Sequence, residues 1–112
     1  MDIERFIEEW ILVSNSYDTD QYLEFFTATA VLDDPSVGRK FTGKQGIKAY
    51  FVNYFIGYKT QTRQVSLVVK DGRRAHLEVE FSGNFPEGRI GGTFDFEFID
   101  GKIAFVSADL IS

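Results

Sequence analysis

From Gln61 onward the sequence alternates apolar and polar residues along four runs, 61–70, 74–82, 89–99 and 102–111. Such alternation marks a strand with one face buried and one face wet. Val65, Leu67 and Val69 share a face in the first run. Ala75, Leu77, Val79 and Phe81 oppose His76, Glu78, Glu80 and Ser82 in the second, and Ile90, Phe94, Phe96 and Phe98 oppose Thr93, Asp95 and Glu97 in the third. Asp71-Gly72 and Asp100-Gly101 are tight-hairpin signals, and the stretch from Gly83 to Gly88, with Pro86 inside it, reads as a loop. Four long strands joined this way form an antiparallel meander whose apolar face must be covered by something else in the chain.

The first half supplies the cover. Ile3, Phe6, Ile7, Trp10 and Ile11 recur at the spacing of one helix face, and Glu4 near its start suits the helix dipole. Asp18 followed by Gln21 resembles a capping box opening a second helix that carries Tyr22, Leu23, Phe25 and Phe26; Thr42 with Gln45 repeats the pattern before a third, with Ile47, Tyr50, Phe51, Tyr54 and Phe55 as its buried stripe. Helices near 2–14, 18–28 and 43–56, followed by strands, predict an α+β domain: three N-terminal helices against one face of a strongly curved antiparallel sheet, with a cavity between. The 112 residues fit a single domain spanning 1–112. Twelve Phe, five Tyr and one Trp can build a stable core or line an apolar pocket.

Within this frame, Val31-Leu-Asp-Asp-Pro35 is the segment that carries chemistry. It reads as a short strand ending in two acids and halted by proline. If Leu32 faces the core, period-two alternation turns Asp34 inward and Asp33 outward. An apolar pocket disfavours the charged form of a carboxylate, which makes it a better base near neutral pH. The competing role for Asp34 is that of a turn cap, since Asp bonds nearby backbone amides before proline.

The ordered set Trp10, Asn15, Asp18-x-Asp20, Phe26, Asp33-Asp34-Pro35, Gly43 and Ile47 resembles the cone-shaped fold of nuclear transport factor two, also called cystatin-like. Within that fold the chain is similar to the SnoaL-like polyketide cyclases and the ketosteroid isomerases. The resemblance implies that Asp34 falls where the isomerases keep their general base. It also implies that Trp10 and Phe94 stand where those enzymes keep the Tyr and the protonated Asp of their oxyanion hole. Of these two only Trp10 can donate a hydrogen bond.

The expected activity is therefore that of a cofactor-independent isomerase, cyclase or hydratase acting on a small hydrophobic carbonyl compound. Asp34 would be the catalytic base, Tyr50 or Tyr54 would bond the substrate, and Trp10, Val79, Phe94 and Phe96 would shape the ligand cavity. The alternative on the same scaffold is a non-catalytic small-molecule-binding or dimerisation module. The outer sheet face around His76 would carry a homodimer contact, as these cones commonly pair sheet to sheet, although Glu78, Glu80, Asp95 and Glu97 would repel across it unless matched by Arg63, Lys70 or Arg89.

The same sequence argues against other classes. A net charge of −5 disfavours nucleic acid, and one His with no Cys leaves no metal-ligand spacing, disulfide or thiolate. Gly38 to Gln45 almost spells a phosphate-binding loop but lacks the final Ser or Thr and the parallel βαβ setting. No cofactor is expected. With no signal-like start and no membrane-spanning stretch, a cytoplasmic location is the expectation.

Overall fold

The computed structural model describes residues 1–111 and runs, in chain order, α1 (Ile3–Ser16), α2 (Thr19–Glu24), β1 (Phe26–Asp34), β2 (Arg39–Thr42) and α3 (Gly43–Phe51). A π-helical turn, Val52–Ile56, continues α3, and four strands follow: β3 (Gln61–Asp71), β4 (Arg74–Ser82), β5 (Arg89–Ile99) and β6 (Lys102–Ile111). They form one six-stranded sheet in the order β2-β1-β6-β5-β4-β3. All pairings are antiparallel except β1 with β6, which is parallel. The three reversals of the meander bring β6 back beside β1 in the same sense. Register shifts interrupt β1/β6, β3/β4 and β5/β6, and such bulges bend a sheet and strengthen its twist. The helices lie on the concave side. Among the described residues no helix is long and apolar enough to cross a membrane.

Local chemistry explains the helix boundaries. Asp2 caps α1 by accepting from the Arg5 N–H at 3.1 Å, and α1 ends at Tyr17, whose left-handed backbone (φ 60°) lets its N–H reach the Ser14 carbonyl. Asp18 caps α2 through the Gln21 N–H at 3.1 Å. The expected second helix over 18–28 is cut to six residues: Phe26 already opens β1, and Thr27 and Thr29, β-branched, favour the extended chain. The third helical segment covers the expected 43–56, α3 and the π turn together, but its cap and its geometry differ from expectation. Thr42 stands at the N-cap without a side-chain cap bond, and the helix widens to π geometry after Phe51. Asn15, near the end of α1, closes that helix onto β3. It accepts from the Thr62 N–H at 2.7 Å and donates to the Thr62 carbonyl at 2.9 Å, imitating a strand neighbour.

The core is an aromatic block. Trp10, Tyr22, Phe26, Phe51, Phe94 and Phe96 are all almost fully buried. Tyr22 stacks on Phe51 with centroids 3.9 Å apart, while Trp10 meets Phe94 and Phe96 edge-on at 5.1 and 5.3 Å. These geometries match the quadrupole preference of aromatic pairs. β3 departs from its expected half-buried pattern: Val65, Val68 and Val69 are exposed, because β3 is the sheet edge and the Val65 bulge breaks its alternation.

Candidate functional site

Along β1, Ala30, Leu32 and Asp34 turn inward, and Asp34 is only 6% exposed. The strand stops there because Pro35 and the turn that follows take the chain away, with the Val37 N–H bonded to the Asp34 carbonyl at 3.2 Å. Asp34 is a cap and a cavity residue at once. Its Oδ1 accepts from the Ser36 N–H at 3.0 Å and from the Ser36 hydroxyl at 2.5 Å. Its Oδ2 accepts from the Tyr50 hydroxyl at 2.9 Å. Three donors offset the cost of burying a carboxylate.

A cavity of about 180 Å³ opens beside this group, and its wall holds Asp34, Ser36, Tyr50, Tyr54, Phe55 and Thr60. Phe81, Phe85, Ile90, Val37 and Leu110 supply the rest of the apolar surface, with Glu87 at the exposed rim. The π turn matters here. It puts Tyr54 and Phe55 on the wall together with Tyr50, and it closes with the Gly57 N–H on the Val52 carbonyl and the Thr60 N–H on the Phe55 carbonyl. A Cβ at Gly57 would sit 2.6 Å from the Asn53 carbonyl oxygen, so glycine ends this turn for steric reasons. Burial pushes the Tyr50 hydroxyl well above its ordinary value, and the nearby Asp34 charge pushes it further. It is therefore protonated at any physiological pH and always able to donate.

Of the residues expected to form the site, Asp34, Tyr50 and Tyr54 meet in this cavity. Trp10, Val79, Phe94 and Phe96 do not line it: they are at most 1% exposed and packed on one another and their neighbours. Phe94 and Phe96 stack at 5.9 Å, with Trp10 against both, and fill with side chains the depth of the cone that these residues were expected to line as a cavity. Trp10 Nε1 and the Tyr22 hydroxyl are buried there without a hydrogen-bond partner.

Sequence reading missed Ser36, Thr60, Phe81, Phe85 and Glu87 as wall residues. An aromatic residue in the Gly/Pro loop 83–88 was the one available signal, since a loop Phe needs something to cover. The edge of the Phe81 ring lies against Gly92 of the neighbouring strand, so closely that any Cβ at Gly92 would collide with it. Gly92→Ala is expected to cost about 1–3 kcal/mol and to displace Phe81 from the wall. Denaturant unfolding measures the cost, and a crystal structure with Phe81 unmoved would contradict the second part.

No curated protein matches the sequence significantly. Among solved structures, the chain is similar to a candidate polyketide cyclase from Sinorhizobium meliloti, at 25% identity over 93% of each chain and a TM-score of 0.84. It is similar to a candidate ketosteroid isomerase from Kribbella flavida, at 16% identity over 96% of this chain and 76% of that one, with a TM-score of 0.83. The epoxide hydrolase/cyclase-like enzyme SalBIII, of pyran ring formation in the polyether salinomycin, shares 20% identity over 96% and 89% of the two chains, with a TM-score of 0.84. The last two likenesses establish a common fold. The family model of the SnoaL-like domain matches residues 3–106, nearly the whole chain from α1 into β6, and the chain belongs to that family.

Proposed function

We propose that the cavity carries out cofactor-independent proton transfer on a small, mainly apolar carbonyl compound, in an isomerisation, cyclisation or hydration. The supporting observation is the carboxylate of Asp34 on the wall of an apolar cavity, with the Tyr50 hydroxyl 2.9 Å from Oδ2. A carboxylate oxygen accepts about two hydrogen bonds, so Oδ2 keeps one lone pair for a substrate proton. Proton uptake by Asp34 weakens its hold on the Tyr50 hydrogen, which can then turn toward the oxygen of an enolate. Tyr54, whose hydroxyl has no partner among the described residues, can donate to the substrate carbonyl. A base, orientation and exclusion of water are the whole requirement of this chemistry.

The test is turnover of a panel of small cyclic ketones and enones by wild type and Asp34→Asn. The variant should fold normally and lose about 10²–10⁴-fold in kcat/KM. Equal rates in the two proteins, or no turnover of any compound, would refute the base. The second reading, a binder without turnover, is favoured by the filled interior around Trp10 and Phe94, which leaves no donor pair for an oxyanion deep in the cone. Ligand-induced stabilisation with no product, unaffected by Asp34→Asn, supports that reading.

A homodimer through the outer sheet face is also proposed. Val68 is exposed there beside His76, which bonds Asp95 at 2.6 Å, and Glu80 meets Arg63 at 3.4 Å and Arg89 at 3.8 Å within the chain. These internal pairs lower the repulsion that two acidic faces would feel. Sedimentation giving only a monomer of 12.8 kDa at low and high salt would exclude the dimer.

A further inference from the structure

The polar atoms of the cavity are almost all of one kind. Ser36 donates its hydroxyl hydrogen to Asp34, Tyr50 donates its own to Asp34, and Thr60 donates its to the Tyr54 carbonyl at 2.9 Å. A hydroxyl has one hydrogen, so these three side chains offer a ligand only lone pairs. Asp34 and Glu87 add carboxylate oxygens, and among the described residues no Lys, Arg or His lines the wall. Arg39, opposite Asp34 in the β1/β2 register, is not a wall residue; its guanidinium carbon lies 4.4 Å from the centre of the Phe41 ring. Around the acceptors stand five aromatic side chains, Tyr50, Tyr54, Phe55, Phe81 and Phe85, whose ring faces carry negative charge density. While Asp34 is ionised, the Tyr54 hydroxyl is the one side-chain donor of the wall left over among the described residues.

We infer that the preferred ligand carries a positively charged nitrogen on an apolar body, a small protonated or quaternary amine seated among these rings with its charge toward Asp34. An anion finds two carboxylates and no cation here, and a neutral oxygen acceptor finds one hydroxyl. A cation finds a buried counter-charge whose other bonds are already made, so it need not be reorganised on binding. The volume sets the size: a cavity of about 150 Å³ accommodates a benzene-sized guest, so the body of the ligand is on the order of one ring or a short branched chain. The inference rests on the cavity being the ligand site and names the chemical class that fits it. It does not depend on turnover.

The experiment titrates wild type with three single-ring probes, benzyldimethylammonium, benzyl alcohol and benzoate, followed by the backbone amides of Ser36, Val37, Thr60 and Ile90 in two-dimensional NMR. Benzyldimethylammonium should bind at least tenfold more tightly than benzyl alcohol, and benzoate should leave these amides unmoved. Asp34→Asn should erase the preference for the cation while benzyl alcohol still binds, and Glu87→Gln at the rim should reduce it less. Equal binding of the cation and the alcohol, or tighter binding of benzoate, overturns the charge inference and leaves the cavity as a site. No shift at these amides with any probe overturns both.

Discussion

Stability should hold level through neutral pH to about 10 and then fall by about 2.7 kcal/mol for each further pH unit. The cause is two buried tyrosines. Burial raises the Tyr22 hydroxyl far above its ordinary value of 10.0, and it raises Tyr50 in the same direction, reinforced by Asp34. Below pH 10 both phenols are protonated in the folded and unfolded chains, so neither makes stability depend on pH. Above it the unfolded chain releases both protons while the folded one keeps them, and each phenol removes about 1.36 kcal/mol per unit. Tyr22→Phe should halve that slope. It should also cost little at pH 7, because the hydroxyl it deletes is buried without a partner. Tyr50→Phe should halve the slope too, but at pH 7 it leaves Asp34 with one donor fewer and costs about 1.5–3 kcal/mol. Urea unfolding at pH 7 and between pH 9.5 and 11.5 measures both. An alkaline slope that Tyr22→Phe leaves unchanged would refute the account.

The contrast between these tyrosines bears on what a sequence of this kind reveals. The sheet and the inward turn of Asp34 follow from a period of two residues, which survives wherever one face is buried; β4 obeys it from end to end and β5 from Gly92 onward. β3 does not, because an edge strand with a bulge has no single buried face. The end of α2 was not legible either: Phe25 and Phe26 fit a helix stripe as well as a strand start, and it is the Ile103 N–H bonded to the Phe25 carbonyl that joins this stretch to β6. For the site, Asp34, Tyr50 and Tyr54 were accessible from the strand and helix periods. The division of the aromatic residues into wall and core was not. Phe81 and Phe94 both point inward on neighbouring strands, and only packing decides that Phe81 meets the cavity while Phe94 is sealed beneath Trp10. The same holds for the hydroxyl hydrogens. Ser36, Tyr50 and Thr60 could each donate or accept, and the turn at Pro35 and the π turn settle which way they point.

Phe94→Ala is expected to remove about 3–5 kcal/mol, a large share of the total stability of a domain this size. The ring is 1% exposed and touches three others: Trp10 edge-on at 5.1 Å, Phe81 edge-on at 5.9 Å and Phe96 stacked at 5.9 Å. Its neighbours cannot close over the gap, since Trp10 is anchored on α1 and Phe96 on the same strand, so most of the void persists and its cost adds to the lost transfer energy. The void also has a direction. Phe81 lines the ligand cavity and meets Phe94 edge-on, and the edge of its ring is held against Gly92, so truncation of Phe94 extends the cavity toward Trp10. Phe94→Ala should therefore accept two-ring ligands that wild type excludes, and saturating amounts should return part of the lost stability, by about 2.7 kcal/mol at a hundredfold excess over Kd. Thermal unfolding of both proteins with naphthylmethylammonium and with benzyldimethylammonium separates the outcomes. A loss under about 1 kcal/mol would mean that the aromatic block relaxes freely. A two-ring ligand that stabilises both proteins equally would mean that Phe94 does not set the depth of the site.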